Sequence, residues 1–188
     1  KKEDLNETSS ATPLTPEDLP TVALVMPAFN EAKTIKEKLF NLATLNYPED
    51  KLHVHILLDG CTDDTLKVID ETRDHPLFNT LNIEIHNFED NQGKIARINA
   101  IVPLLQEQLV AFTDVSALIS QDALLLAAEH FADEQIGVVT GFYRLLNAGS
   151  TGEDVYWKQQ CAQQQAESDM GAIQGAHGAF YVIRQALF

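Results

Sequence analysis

Asp114 ends the apolar run Leu109-Val110-Ala111-Phe112-Thr113, and Ser116 follows two residues later. A buried strand written this way delivers one hard oxygen ligand to the rim of a sheet, and a hydroxyl two positions on can face the same side. Such a carboxylate suits Mg2+ or Mn2+, which take one or two carboxylates and complete their shell with water and ligand phosphates. Asn91-Gln92-Gly93-Lys94 leads into a helical pattern. Its glycine lets backbone N–H groups approach a phosphate, the helix N-terminus adds favourable potential, and Lys94 or Arg97 adds positive charge. Asp59-Gly60 closes an earlier apolar run, where the Asp59 carboxylate is placed to accept a hydrogen bond from a base N–H. Pro27-Ala28-Phe29-Asn30-Glu31 occupies the first strand-to-helix turn, with backbone groups available to a base or ribose. Together these segments suggest a site for a metal ion and a phosphorylated nucleotide.

Each segment also has a plainer role. Asn30 suits a helix N-cap, and Glu31 favours the helix dipole. Asp59 before glycine is a common turn residue, and Asp63 and Asp64 suit the cap and first turn of the next helix. Residues 91–94 also read as an ordinary loop with a surface lysine, and Asp114 as a cap or solvated turn aspartate. The spacing around Lys94 is not that of a Walker A loop, and the acidic cluster after Asp59 lacks the alternation of an EF-hand. His53 and His55 alternate on a strand with no metal-ligand company. Gln174-Gly175-Ala176-His177-Gly178 is a glycine-containing loop able to close over a ligand, with His177 the one histidine placed near the site. Tyr156-Trp157-Lys158 holds the only tryptophan, which walls a sugar or packs on the sheet.

The elements that must position these residues follow from periodicity. Apolar runs at 22–26, 52–58, 82–86, 109–113, 136–143 and 179–183 read as strands. Helical spacing appears at 32–45, where Ile35, Leu39, Leu42 and Leu45 share a face, then after Thr62 or Asp63, from Gly93 through Leu105, and after Ser120. Residues 153–170 are polar and glutamine-rich and read as a long helix, and 171–178 as a flexible loop. Strands alternating with helices predict an α/β fold with a mainly parallel open sheet, helices on both faces. Residues 1–20 are rich in Ser, Thr, Pro and acidic groups and read as a flexible leader, so the expected domain is 21–188. Residues 184–188 read as the start of a helix, which suggests a piece of a longer protein.

Composition narrows the function. The chain has 188 residues, 45% of them hydrophobic, and a formal net charge of −15. That charge disfavours nucleic acid and anionic lipid surfaces as partners, since both need Lys and Arg against phosphate. It does not forbid a nucleotide, because a cation and a few local donors neutralise a diphosphate. No apolar run is long enough to cross a bilayer, and the expectation is a soluble chain. Its two cysteines, Cys61 and Cys161, make no disulfide framework, and a reducing compartment is the simpler reading.

Taken in order, Val25-Met26-Pro27-Ala28-Phe29-Asn30-Glu31, Asp59-Gly60-Cys61-Thr62-Asp63, Gly93-Lys94 and Asp114-Val115-Ser116 resemble a family 2 glycosyltransferase with the GT-A fold. Tyr156-Trp157-Lys158 and Gly175-Ala176-His177-Gly178-Ala179 resemble the pattern of its membrane-associated members. The resemblance implies inverting transfer of a sugar from a nucleotide-diphosphate donor, often a UDP-sugar, to a saccharide or lipid-linked acceptor. It implies that Asp59 reads the base, that Pro27, Ala28 and Glu31 line the nucleoside pocket, and that Lys94 meets the nucleotide. Asp114 matches the first aspartate of the metal-binding Asp-x-Asp motif, for Mg2+ or Mn2+. Residues 175–178 would face donor sugar or acceptor. A parent enzyme on the cytoplasmic side of a membrane is also implied.

Two departures stand out. Ser116 replaces the second aspartate of the motif, which weakens metal binding unless serine or water completes the shell. The family's general-base aspartate and its Gln-x-x-Arg-Trp segment match no residue up to Phe188, so the expectation is poor donor binding and no turnover without downstream sequence. A non-catalytic nucleotide-sugar-binding module is the alternative from another class. A nucleotidyltransferase would normally show a glycine-rich, basic loop after the first strand, which residues 27–31 lack.

Overall fold

A computed structural model describes residues 14–141 and 178–188. Six strands, β1 (Val22–Ala28), β2 (Leu52–Asp59), β3 (Asn82–Phe88), β4 (Leu109–Thr113), β5 (Val138–Thr140) and β6 (Phe180–Arg184), form one sheet in the order β3-β2-β1-β4-β6-β5. Strands β1 to β4 run parallel, whereas β6 is antiparallel to β4, and β5 is antiparallel to β6. Helices α1 (Ile35–Ala43), α2 (Thr65–Arg73), α3 (Lys94–Ile101) and α4 (Ala123–His130) connect them. The expected mainly parallel α/β sheet is present, with antiparallel pairing confined to β5 and β6. The expected helix at 153–170 lies outside the described residues.

The core explains why the central strands carry so little alternation. Val22, Leu24, Met26 and Ala28 of β1 face a large cluster that includes Ile35, Leu39 and Leu42 of α1, Ile69 of α2 and Leu124 of α4. Ala23 and Val25 face the other side, with Ile98 and Ile101 of α3. Covered on both faces, β1 must be apolar at consecutive positions. β3 has a neighbour on one side only and alternates between exposed and half-buried residues.

Boundaries move for local reasons. β1 continues through Pro27, where a strand end was expected. Its pairing with β4 stops at Val25↔Phe112, so Pro27 stands beyond that partner's reach and the missing N–H is tolerated. α3 ends at Ile101 and continues as a 3-10 turn over Val102–Leu104, because Pro103 cannot donate to the α ladder. Residues 14–20, within the expected leader, lie against the domain. Leu19 is buried, Lys51 Nζ donates to the carbonyls of Glu17 and Leu19 at 2.6 Å each, and Tyr47 Oη donates to Pro20 O at 2.6 Å.

Candidate functional site

The parallel register brings the carboxyl ends of β1, β2 and β4 to one edge of the sheet. Asp59, the last residue of β2, is buried there. Its Oδ1 accepts from Gln92 N at 2.9 Å and Arg97 Nε at 2.6 Å, and its Oδ2 accepts from Gly93 N at 2.7 Å. Burial alone would raise this carboxyl's pKa; the hydrogen bonds from Gln92, Arg97 and Gly93 outweigh it and hold the pKa below the usual value. Asp59 thus spends three acceptor positions on its own chain, fixing the turn between β3 and α3. Arg97 is consumed as well. It is buried, bridges Asp59 and Asp90, and lies over the Phe88 ring at 4.0 Å. It is therefore not the free phosphate-binding cation that the sequence allowed.

Two glycines shape this turn, one by close approach and one by its backbone conformation. Gly60 has φ 67°, and a Cβ there would sit 2.6 Å from Asn91 N and from Asp90 C. Gly93, at φ 91°, adopts a conformation that side chains resist. The turn so held carries Lys94 across to Asp114, where Nζ meets Oδ1 at 2.5 Å with both side chains partly exposed. Asp59 and Asp114, 55 residues apart by their numbers, are therefore joined by two successive residues, Gly93 and Lys94. Gly178 closes the same place, since a Cβ added to it would lie 3.8 Å from Lys94 Nζ.

Behind Asp114 sits a residue that the motifs did not single out. Lys38 of α1 is fully buried, and its Nζ donates to Thr113 Oγ1 at 2.8 Å and to Ala117 O. Burial lowers its pKa from the usual 10.5 to about 7, with the charge of Asp114 pulling the other way. A signal was present: Lys38 falls between Ile35, Leu39 and Leu42 on the apolar stripe of α1. Thr113 Oγ1 also lies 3.2 Å from Ala179 O, tying β4 to the segment after Gly178.

The turn after β1 is organised by its own side chains. Asn30, at φ 54°, accepts from Thr62 N at 2.8 Å, and Glu31 N donates to Thr65 Oγ1 at 2.8 Å. Asn30 does not cap α1, which begins only at Ile35. Asp63 lies one residue before the N-cap of α2, Asp64, and its side chain accepts from Thr65 N at 3.0 Å. Glu31 Oε2 accepts from Thr34 Oγ1 at 2.5 Å. A concavity beside this turn is lined by Asn30, Glu31, Thr34, Thr62 and Asp63, and it borders the rim without including Asp59, Lys94 or Asp114.

The structure thus gathers Asp59, Lys94, Asp114 and Gly178 at one place, with Pro27, Ala28 and Glu31 at the end of neighbouring β1. Ser116 is exposed in the turn after Asp114. Gly175 and His177 lie outside the described residues, as do Tyr156, Trp157 and Lys158. Asp114 suits a divalent cation, being a half-exposed carboxylate whose present partner is a displaceable lysine. Among the described residues, however, the side chains already close enough to chelate an ion are His55, Glu84 and His86. This corrects the expectation that His55 has no ligand company. The correction depends on the pairing of β2 with β3, which no local motif reveals.

Comparison with known proteins accords with this geometry. Residues 23–188 match the profile described as Glycosyl transferase family 2. A beta-monoglucosyldiacylglycerol synthase from Nostoc sp. is 29% identical over 177 residues, covering 90% of this chain and 37% of that protein. A poly-beta-1,6-N-acetyl-D-glucosamine synthase from Staphylococcus epidermidis is 27% identical over 130 residues, covering 69% and 30%. The chain therefore spans about a third of these relatives' length. The mannosyltransferase PcManGT from Pyrobaculum calidifontis, solved in complex with GDP-Man and Mn2+, superposes with a TM-score of 0.76 at 28% identity, over 92% of this chain and 46% of that one.

Proposed function

Because the chain belongs to glycosyl transferase family 2, we propose that its β-strand rim is the donor side of an inverting glycosyltransferase site. The donor is a nucleotide-diphosphate sugar. A UDP-sugar is the form that the sequence resemblance favours, and the GDP-Man of PcManGT is the competing nucleotide to test. The observation that carries this reading is the chain of contacts from Asp59 through Gly93 to Lys94 and Asp114. In it a half-exposed carboxylate and a half-exposed ammonium, paired with each other, supply the two groups that a cation and a diphosphate would engage.

In the reaction, an acceptor hydroxyl oxygen bonds to the anomeric carbon as the bond from that carbon to the diphosphate oxygen breaks. The hydroxyl proton passes to a base. Asp114, with Ser116 nearby, would hold a divalent cation, Mg2+ or Mn2+, whose charge would neutralise the departing diphosphate. Lys94 exchanges its contact with Asp114 for phosphate oxygens. Asp59 orients the donor indirectly, by holding the Gln92-Gly93 backbone in place. Pro27, Ala28 and Glu31 line the nucleoside side, and Gly175, His177 and Gly178 face sugar or acceptor. The acceptor is a saccharide or a lipid-linked hydroxyl, in keeping with the names of the Nostoc and Staphylococcus relatives. We place the longer parent at the cytoplasmic face of a membrane; among the described residues no helix is long and apolar enough to cross one.

Sugar transfer by a longer protein carrying these residues, assayed with UDP- and GDP-sugars and Mn2+, tests the reading. Turnover should fall at least about a hundredfold in Asp114→Ala. Turnover unchanged by that substitution would contradict it. Ser116, in the place of a second carboxylate, favours the alternative of a nucleotide-sugar-binding module; manganese-dependent binding without turnover in the longer protein would decide for that alternative.

A further inference from the structure

The chelating group on the outer pair of strands carries an inference independent of sugar transfer. The β2–β3 register pairs His55 with Glu84 and Leu57 with His86, which puts the three polar side chains together on the edge of the sheet. His55 Nδ1 lies 3.1 Å from His86 Nε2. Glu84 spans both rings, with Oε2 at 3.7 Å from His55 Nδ1 and Oε1 at 3.6 Å from His86 Nε2. The rings stack at 5.4 Å between centroids and 24° between planes.

Ligand atoms about 2.0–2.1 Å from a tetrahedral Zn2+ are roughly 3.3 Å from one another. The three separations bracket that spacing, so the donors need little movement to close on an ion. We propose that His55, Glu84 and His86 form a transition-metal site of the Zn2+ class that clips edge strand β3 to β2.

Burial supports the assignment. His55 is buried, His86 half-buried and Glu84 exposed, so the group has a rigid inner ligand and an open route from solvent. Burial chiefly lowers the pKa of His55, with Glu107 and Glu84 opposing this and His86 and His53 adding to it. The other ring nitrogen, Nε2, is buried without a hydrogen-bond partner among the described residues. Nδ1 shares a proton with His86 Nε2 at 3.1 Å, and an ion bound between the two nitrogens would displace that proton. The nearby His53 is engaged with Glu107. The site is separate from the rim: His55 stands four residues before Asp59, about 13 Å along an extended strand. Two histidines and one carboxylate leave a tetrahedral ion one position for water.

The test is a Zn2+ titration of the chelator-stripped 188-residue chain, followed by calorimetry and by the visible spectrum of the Co2+-substituted form. The expected result is one tightly held equivalent, a tetrahedral Co2+ spectrum and a higher Tm with metal. Glu84→Gln and His86→Gln should each weaken Zn2+ binding at least about tenfold and abolish the Tm gain. Both positions are more accessible than His55, and their folding is checked by Tm without metal. Asp114→Asn should leave the titration unchanged, which separates this site from the proposed donor site. Absence of a tight equivalent in the wild-type chain, or binding that survives both ligand substitutions, would overturn the assignment.

Discussion

At the scale of single residues, the site rests on two buried charges that act through others. Lys38 sits behind Asp114 with a pKa of about 7 against the usual 10.5. The unfolded chain keeps that proton to higher pH than the native chain does. Between about pH 7 and 10.5 the unfolded state binds more protons, so this residue makes stability rise with pH, by up to about 1.4 kcal/mol per pH unit. Urea unfolding across that range should show the rise in the wild-type chain and a flatter profile in Lys38→Met; equal slopes would contradict the assignment. Asp59 gives a slope of the same sign, in the acid range. Its lowered pKa contributes stability above the unfolded carboxylate pKa, which is lost as pH falls through the native value. Asp59→Asn breaks a buried pair and leaves Arg97 with Asp90 alone, for an expected loss of about 3 kcal/mol. Denaturant midpoints of the two chains check it.

At the scale of elements, the turn between β3 and α3 is the device that unites the site, and Gly60 is its contact point. Gly60→Ala combines a positive φ with a Cβ 2.6 Å from backbone, for an expected cost of roughly 2–4 kcal/mol. Gly93→Ala, at positive φ but in open space, should cost less, about 1–3 kcal/mol. Thermal unfolding of the two variants checks the order, and a larger loss at Gly93 would contradict this account of the turn. The strands themselves were readable from sequence, because β1 and β4 are apolar at nearly every position, β2 carries Ile56-Leu57-Leu58 before its end, and the three stop at Ala28, Thr113 and Asp59. Their convergence on one rim followed from parallel pairing. What could not be read depends on partners distant in the chain. Asp59 and Arg97 look like free ligand-binding groups until the fold pairs them. His55 looks solitary until β3 is laid beside β2. Asn30 looks like a cap until its side-chain Oδ1 is found accepting from Thr62 N.

At the scale of the whole molecule, a net charge of −15 surrounds a rim at which Lys94 is a half-exposed cation. A diphosphate reaching this edge meets general repulsion, so binding should depend on a cation rather than on the protein's overall field. Helices on both faces cover the core and leave the carboxyl edge as the place for a ligand, as expected for an open α/β sheet. The most direct measurement is a calorimetric titration of UDP and GDP, with and without Mn2+, into the wild-type and Asp114→Asn chains. Nucleotide binding that needs Mn2+ and weakens at least about tenfold in Asp114→Asn is the predicted result, consistent with loss of a principal cation ligand. Binding of equal strength in the two chains, or binding indifferent to the metal, would contradict the placement of the diphosphate at Asp114.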